Sequence, residues 1–421
     1  MIFLFLTAEL TNSATGYCAK TVANELAKRG HYVHILSANK EIQDTIEYDG
    51  HLIVHEISGD RFKLFWKGCL SSRNRLVRLV GVLLSMLHKV LVQLKGLFSI
   101  VPVSNDKDTL FKNASHIIDS MPIHCIIPVV NPRESVIVAH KLYKKYYIPY
   151  VPYYLDSMYG NIGLRFLSKR VYKRRVLQYE DKWIADAKRI IMMQSVKGLY
   201  DAISPVQHPY ISKICYLDIP LLAIQPKAET EKRKAIFDNQ FVVLFIGTMP
   251  NRIRDPRYVF GLATELAKDN IHFYFVGKSD YLGELNALIA QNGNVHFLGQ
   301  IEHDDVPNYV ESADILLNIG NSIPGMLPSK VFEYMSYRKP ILSTIKHSAD
   351  LSVSYLEKYG AFYIVDESKP IDVVVEETRN YINQVMKGEF DINISELIEK
   401  DGALYLNTPQ CFCEKIESIL S

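Results

Sequence analysis

The segment GMLPSKVFEYMSYRKPIL, residues 325–342, places a proline directly before a stretch with helical spacing. Proline at 328 starts a helix where backbone N–H groups have no intrahelical acceptor, so the amides of Ser329, Lys330 and Val331 are expected to be unpaired at the positive end of the helix. With the Lys330 ammonium and the Ser329 hydroxyl added, that end forms an anion site suited to a diphosphate. Glu333 falls about one turn further on, where its carboxylate can accept hydrogen bonds from the two hydroxyls of a ribose. The plainer reading is an ordinary helix start whose glutamate favours the dipole.

A second set of candidates lies near the N-terminus. Thr11–Gly16 is rich in small and polar residues and sits between a short apolar run, Ile2–Leu6, and a helical pattern over Ala19–Arg29. Gly16 lacks a Cβ, so a phosphate or sugar could approach its backbone closely; the alternative is a plain strand-to-helix turn. No Ser-His-Asp arrangement and no carboxylate dyad can be assembled, and no divalent ion or resident cofactor is invoked.

The elements that must position these residues follow one plan twice. Strand, loop, helix and strand succeed one another from Ile2, with Gly30 ending the first helix and a second strand from Tyr32; further strands are expected at Cys125–Val130, Tyr150–Leu155 and Arg189–Met193. A second series starts with the apolar run Phe241–Ile246 and continues through His272–Val276, Val295–Phe297, Ile315–Leu317 and Pro340–Ser343, with helices between and glycine after the first three strands. Apolar strands joined by crossover helices imply parallel sheets covered on both faces, with ligands at the carboxyl ends of the strands. The expected fold is therefore α/β, with two doubly wound domains facing a cleft.

At 421 residues the chain suits two domains of roughly 200 residues each. The expected bounds are an acceptor-binding domain over 1–218 and a nucleotide-sugar-binding domain over 219–400. A C-terminal helix in 401–421 is expected to pack back on the first domain. The join is placed near 218 because Pro205–Gln240 combines prolines with the charged run Lys227–Lys234.

Composition narrows the partners. With 48% hydrophobic and 22% charged residues and a mean hydropathy near zero, the chain is globular. A net charge of +2 gives no footprint for nucleic acid. The six cysteines show no zinc spacing and read as free thiols of a reducing compartment. No uncharged apolar run reaches the ~20 residues that span a bilayer, and MIFLFLTAEL reads as a buried strand, which points to the cytoplasm.

One local departure stands out: residues 61–105 contain no acid, while Arg61, Lys63, Lys67, Arg73, Arg75, Arg78, Lys89 and Lys95 are basic. Within this stretch Leu76, Val80, Leu83, Leu87, Val90, Leu94 and Phe98 recur at three and four. A basic amphipathic helix over residues 61–98 can lie on an anionic membrane surface, or pack on the sheet with a solvated cationic edge. A second basic cluster runs from Arg165 through Lys169, Arg170, Lys173 and Arg174 to Arg175.

The segment 325–342 resembles the donor-binding segment of the retaining nucleotide-sugar transferases of glycosyltransferase family four. The resemblance extends to VHFLGQIEHDDVPNYVESADILLN (295–318), FVVLFIGTM (241–249) and, more weakly, SATGYCAKTVANELAKRGHYVHIL (13–36). It implies a GT-B fold of two Rossmann-like domains, and transfer of a sugar from a nucleotide diphosphate donor to a glycan or lipid-linked acceptor, with retention and without metal. In that scheme the departing phosphate oxygen takes the acceptor proton.

The resemblance further implies that Arg252 and Arg254, after the first strand of the second domain, neutralise diphosphate charge. Asp156, after PYVPYYL, falls where relatives carry a polar residue beside the reacting centre. It would contact the donor sugar, orient the acceptor hydroxyl or simply cap the next helix. One departure is Gly325, which stands where the family has the first of two glutamates eight positions apart. It motivates an alternative, a catalytically silent sugar-nucleotide binding subunit in polysaccharide assembly. A GT-B epimerase would need an acid/base cluster that the sequence does not offer.

Overall fold

The computed structural model describes the chain apart from residues 8–9, 11–13, 40–44, 59–60, 99, 101–105, 131–132, 156, 160–167, 225–235, 238–239, 252, 303–304 and 324–326, and the side chains of 14, 61–64, 92–93, 95–98 and 106. Two compact units result, one of Met1–Pro220 with Pro409–Ser421 and one of Leu221–Thr408.

In the first unit the sheet order is β3 (Thr45–Asp49), β4 (Leu52–Ser58), β2 (Tyr32–Asn39), β1 (Ile2–Thr7), β5 (Cys125–Pro128), and only the β3–β4 hairpin is antiparallel. β1 is central, with Phe3 opposite both Val33 and Cys125. Its Phe3, Leu4, Phe5 and Leu6 are fully buried, which is what covering a parallel sheet on both faces requires. A three-stranded parallel sheet, β6 (Tyr153–Tyr154), β7 (Ile190–Met193) and β8 (Ile214–Leu217), joins β5 through the bridges Ile126–Tyr150 and Val129–Tyr153. The stretch read as linker thus begins inside the unit, since β8 pairs with β7.

The helix Pro409–Leu420 packs on the helix Ala14–Lys28. Buried Phe412 meets the Tyr153 ring edge-on at 4.6 Å, and Arg29 bonds Glu417 at 3.0 Å, so this terminal helix is core and charge partner of the first unit at once.

The second unit is one parallel sheet in the order β11 (Val295–Gly299), β10 (Ile271–Val276), β9 (Phe241–Ile246), β12 (Ile315–Asn318), β13 (Ile341–Ile345), β14 (Phe362–Asp366). The chain starts in the middle, builds outward to β11 and returns to β12 on the other side of β9. That reversal leaves a switch point between β9 and β12, where connections diverge and strand ends stay open. Gly277, at φ +124°, closes the end of β10 so tightly on β9 that a Cβ there would stand 1.9 Å from the Gly247 carbonyl oxygen.

The helix Arg75–Phe98 forms as its periodicity predicts, and much of the apolar side described on it stays exposed. It crosses the helix Arg61–Leu70 at Gly81, where a Cβ would meet the Leu70 nitrogen at 2.7 Å. Leu76 remains 74% exposed and Leu83 58%, with Met86, Leu87, Val90 and Leu94 also exposed. No described helix is long and apolar enough to cross a membrane.

Candidate functional site at the strand ends of the second unit

The helix that carries the strongest sequence candidates spans Lys330–Ser336. Its inner face is anchored at two points. The buried Tyr334 hydroxyl accepts from the Ile246 amide and donates to the Ile246 carbonyl, both at 3.2 Å, which fixes the helix against the end of β9. Ser336 Oγ accepts from the Ala223 amide at 3.1 Å and so holds the start of the unit. With Tyr334 turned inward, the outward residues of the first turn are Lys330 and Glu333, whose ammonium and carboxylate lie 2.5 Å apart with 32% and 22% of their side chains exposed.

The first turn differs from the sequence expectation in one respect. The Val331 amide is not unpaired: it donates to the Pro328 carbonyl at 3.3 Å, as Phe332 does to Ser329 at 3.2 Å. The helix start tightens into i→i−3 bonds, a common way of satisfying orphan amides. Ser329 stands at the cap in helical conformation and its hydroxyl makes no capping bond.

Arg254 lies across the switch point. Its guanidinium donates to the Thr248 carbonyl at 3.0 Å and to Asn321 Oδ1 at 3.3 Å, and rests 5.9 Å over the Phe245 ring. The loops after β9 and β12 are therefore tied through one side chain, reinforced by the Ser322 amide on the Ile253 carbonyl at 2.7 Å. Arg254 Nε is shut from solvent without a hydrogen-bond partner, and among the described residues no carboxylate pairs with this cation. Burial pushes its pKa below the ordinary arginine value. A cation enclosed by neutral groups is costly unless an anion comes to it.

Beside it lies a network that the sequence reading missed. Thr344 Oγ1 accepts from the Gly320 amide at 3.1 Å and donates to Glu367 Oε1 at 2.6 Å. Lys346 pairs with the other oxygen of Glu367 and donates to the Asp255 carbonyl at 3.1 Å. Asp255 in turn holds Arg257 at 2.5 Å, and that pairing drops the Asp255 pKa below the usual carboxylate value. Nothing in the sequence signals this grouping, because Lys346 and Glu367 close on one another only through the adjacency of β13 and β14.

Of the other candidates, Gly16 is buried in the first turn of the helix Ala14–Lys28 of the first unit. Asp156 and Arg252 lie outside the described residues, as does Gly325. The sequence reading took the chain to lack an Asp-x-Asp metal signature and invoked no divalent ion on that ground, yet Asp106-Lys107-Asp108 has that spacing; it opens the helix Asp106–Ser120. Among the described residues no group of three or more His, Cys, Asp or Glu could hold a metal ion.

The strand-end cluster lies within residues 240–369, and that stretch matches the family described as glycosyl transferases group 1. Over those residues the second unit is similar to the group 1 glycosyl transferases, and the α/β architecture of the chain is that of the GT-B glycosyltransferase structures. The solved structures agree on that fold. Anabaena HepE in complex with UDP shares 14% identity at a TM-score of 0.59, covering 99% of this chain and 100% of that one. Sucrose-phosphate synthase from Thermosynechococcus elongatus shares 11% at 0.63, covering 100% and 98%. WaaG, a glycosyltransferase involved in lipopolysaccharide biosynthesis, shares 14% at 0.56, covering 99% of each chain. No curated protein sequence matches the chain.

Proposed function

We propose that the chain moves a sugar from a nucleoside diphosphate donor to a membrane-associated or polysaccharide-precursor acceptor, with retention and without a metal ion. The observation that carries the donor assignment is Arg254, a cation held at the switch point by neutral groups and, among the described residues, without a carboxylate partner. An arriving diphosphate supplies the negative charge. Lys330 and Ser329 complete its cradle, and Glu333, released from Lys330, accepts from the ribose hydroxyls. Arg252 adds to the cradle, and Gly16 and Asp156 serve the transferred sugar. Support comes from the family match over the same residues and from HepE, which was solved with UDP and with UDP-glucose.

In the reaction the acceptor oxygen bonds to the anomeric carbon as the bond from that carbon to the phosphate oxygen breaks. The leaving oxygen takes the acceptor proton. The protein's part is to position the two and stabilise the leaving charge, for which preorganised cations suffice.

The exposed apolar face of Arg75–Phe98, bordered by Arg73, Arg75 and Arg78 with no acid in the stretch, supports work at the inner membrane surface, where lipid buries that face. Purified chain should then float with anionic liposomes, and neutralising the three arginines should weaken flotation; unchanged partitioning removes the membrane from the scheme. For the reaction, release of nucleoside diphosphate from a panel of UDP-, GDP- and ADP-sugars should fall sharply in Glu333→Ala and Lys330→Ala. Nucleotide binding that both variants retain undiminished would sink the donor site.

A further inference from the structure

A second concave site belongs wholly to the first unit. A cavity of about 450 Å³ is bordered by Tyr159, Arg170, Lys173, Arg174, Leu177 and His208. Positions 170, 173, 174 and 177 fall on one face of the helix Lys169–Trp183, so the helix turns two arginines and a lysine toward one space. Among the described residues none of these three cations has a carboxylate at ion-pair distance. Lys173 Nζ instead rests 4.6 Å over the Tyr159 ring. The nearby acid, Asp181, is engaged by His208 at 2.8 Å.

The walls are pinned from beneath. The Tyr159 ring lies 5.9 Å from that of Tyr200, and the His208 ring 6.1 Å from that of Tyr210. Both tyrosine hydroxyls donate to the fully buried Glu180 carboxylate, at 2.8 and 2.7 Å. The cavity is therefore built before any ligand arrives, and its size falls within the range of roughly 300–1,000 Å³ usual for small-molecule sites.

We propose that this cavity binds a phosphomonoester carried by the acceptor, an inference that rests on the transfer reading above. Three cations with no carboxylate at ion-pair distance among the described residues match a dianion better than a single carboxylate, and arginine forks bind phosphate oxygens in pairs. The Tyr159 and Leu177 walls offer apolar surface to the ring or chain that bears the phosphate. The acceptor class so defined is a phosphorylated sugar, free or on a lipid.

Isothermal titration of the full chain with glucose 6-phosphate, glucuronate and UDP tests this, using wild type and the combined variant Arg170→Gln, Lys173→Gln, Arg174→Gln. Glucose 6-phosphate should bind wild type more tightly than glucuronate does, weaken with added salt, and lose about tenfold or more in the variant. UDP should bind both proteins equally, which also certifies the variant's fold, and Arg174→Lys, which keeps the charge without the fork, should lose less phosphate affinity than Arg174→Gln. Vesicles of phosphatidylcholine with phosphatidic acid form the second arm: binding there that the variant loses, with glucose 6-phosphate inert, assigns the phosphate to a lipid headgroup. Equal glucose 6-phosphate affinity in wild type and variant overturns the proposal, as does wild type ignoring both probes. If UDP fails to bind while glucose 6-phosphate binds through the three cations, the donor reading falls and this one stands.

Discussion

The two units repeat one doubly wound plan but treat charge in opposite ways. In the second unit a single cation, Arg254, is fixed at the switch point by a carbonyl, an amide oxygen and a ring, with its Nε sealed from solvent. In the first unit the enclosed ionisable group is an acid: Glu180 is fully buried between Tyr200 and Tyr210, and the cations Arg170, Lys173 and Arg174 stand outside it around a cavity. An enclosed cation is shaped for one small anion and gains strongly from it in a poorly polarisable setting. Cations on an open rim are screened and serve broader ligands. The contrast supports the proposed assignment of the donor to the second unit and the acceptor to the first.

The largest test of that contrast is Arg254→Ala. If the lone cation serves the leaving diphosphate, turnover of a nucleotide sugar should fall on the order of a hundredfold or more, with little change in unfolding temperature. A purely structural Arg254 would give the reverse pattern.

Glu180 provides the next. Burial raises its pKa from 4.5 to about 7, against the opposing pull of the two tyrosine donors. The folded state therefore holds this proton more tightly than the unfolded chain. The resulting loss of stability is absent below about pH 4.5, grows as pH rises toward 7 and is complete above it. It amounts to on the order of 3 kcal/mol. Thermal unfolding across that window should show the decline in wild type, and Glu180→Gln should remove it. An identical slope in the variant would mean that the enclosed carboxyl is not the group titrating.

Tyr334→Phe removes the hydroxyl that bridges both polar groups of Ile246. Leaving a buried amide and carbonyl short of a partner should cost about 1–3 kcal/mol in denaturant unfolding, and should raise the KM for donor if the helix Lys330–Ser336 loosens from β9. The smallest effect belongs to the open surface of the first unit. Arg78→Gln alone should lower partitioning to anionic vesicles about fivefold, following ~1 kcal/mol per surface cation, and no change at low salt would detach the exposed helix from lipid.

Much of the architecture was legible because strands covered on both faces must be apolar without interruption. Phe241–Ile246 announced β9 to the residue, and the runs at 272–276 and 315–317 marked β10 and β12 nearly as well. Parallel pairing followed from the helices between them. The strand at Ile214–Leu217 was hidden by the prolines around it, and the antiparallel β3 by its exposure, since a strand with no buried face has no apolar pattern to read. Along the site helix, proline, lysine and glutamate could be placed by counting, yet the tightened first turn that binds the Val331 amide could not.

What the chain determined by itself was therefore local and periodic: the alternation of strands and helices, the apolar face of Arg75–Phe98, and the relation of Lys330 to Glu333 one turn apart. Such features depend on residues a few positions from one another and survive in any sequence-level description. Only the tertiary structure decided that Asn321 meets Arg254 from 67 residues away, that Glu367 closes on Lys346, and that Tyr200 and Tyr210 converge on Glu180. Those contacts are set by strand order and by which side chains share a sheet end. The sequence carries such adjacency only through the packing of the whole core.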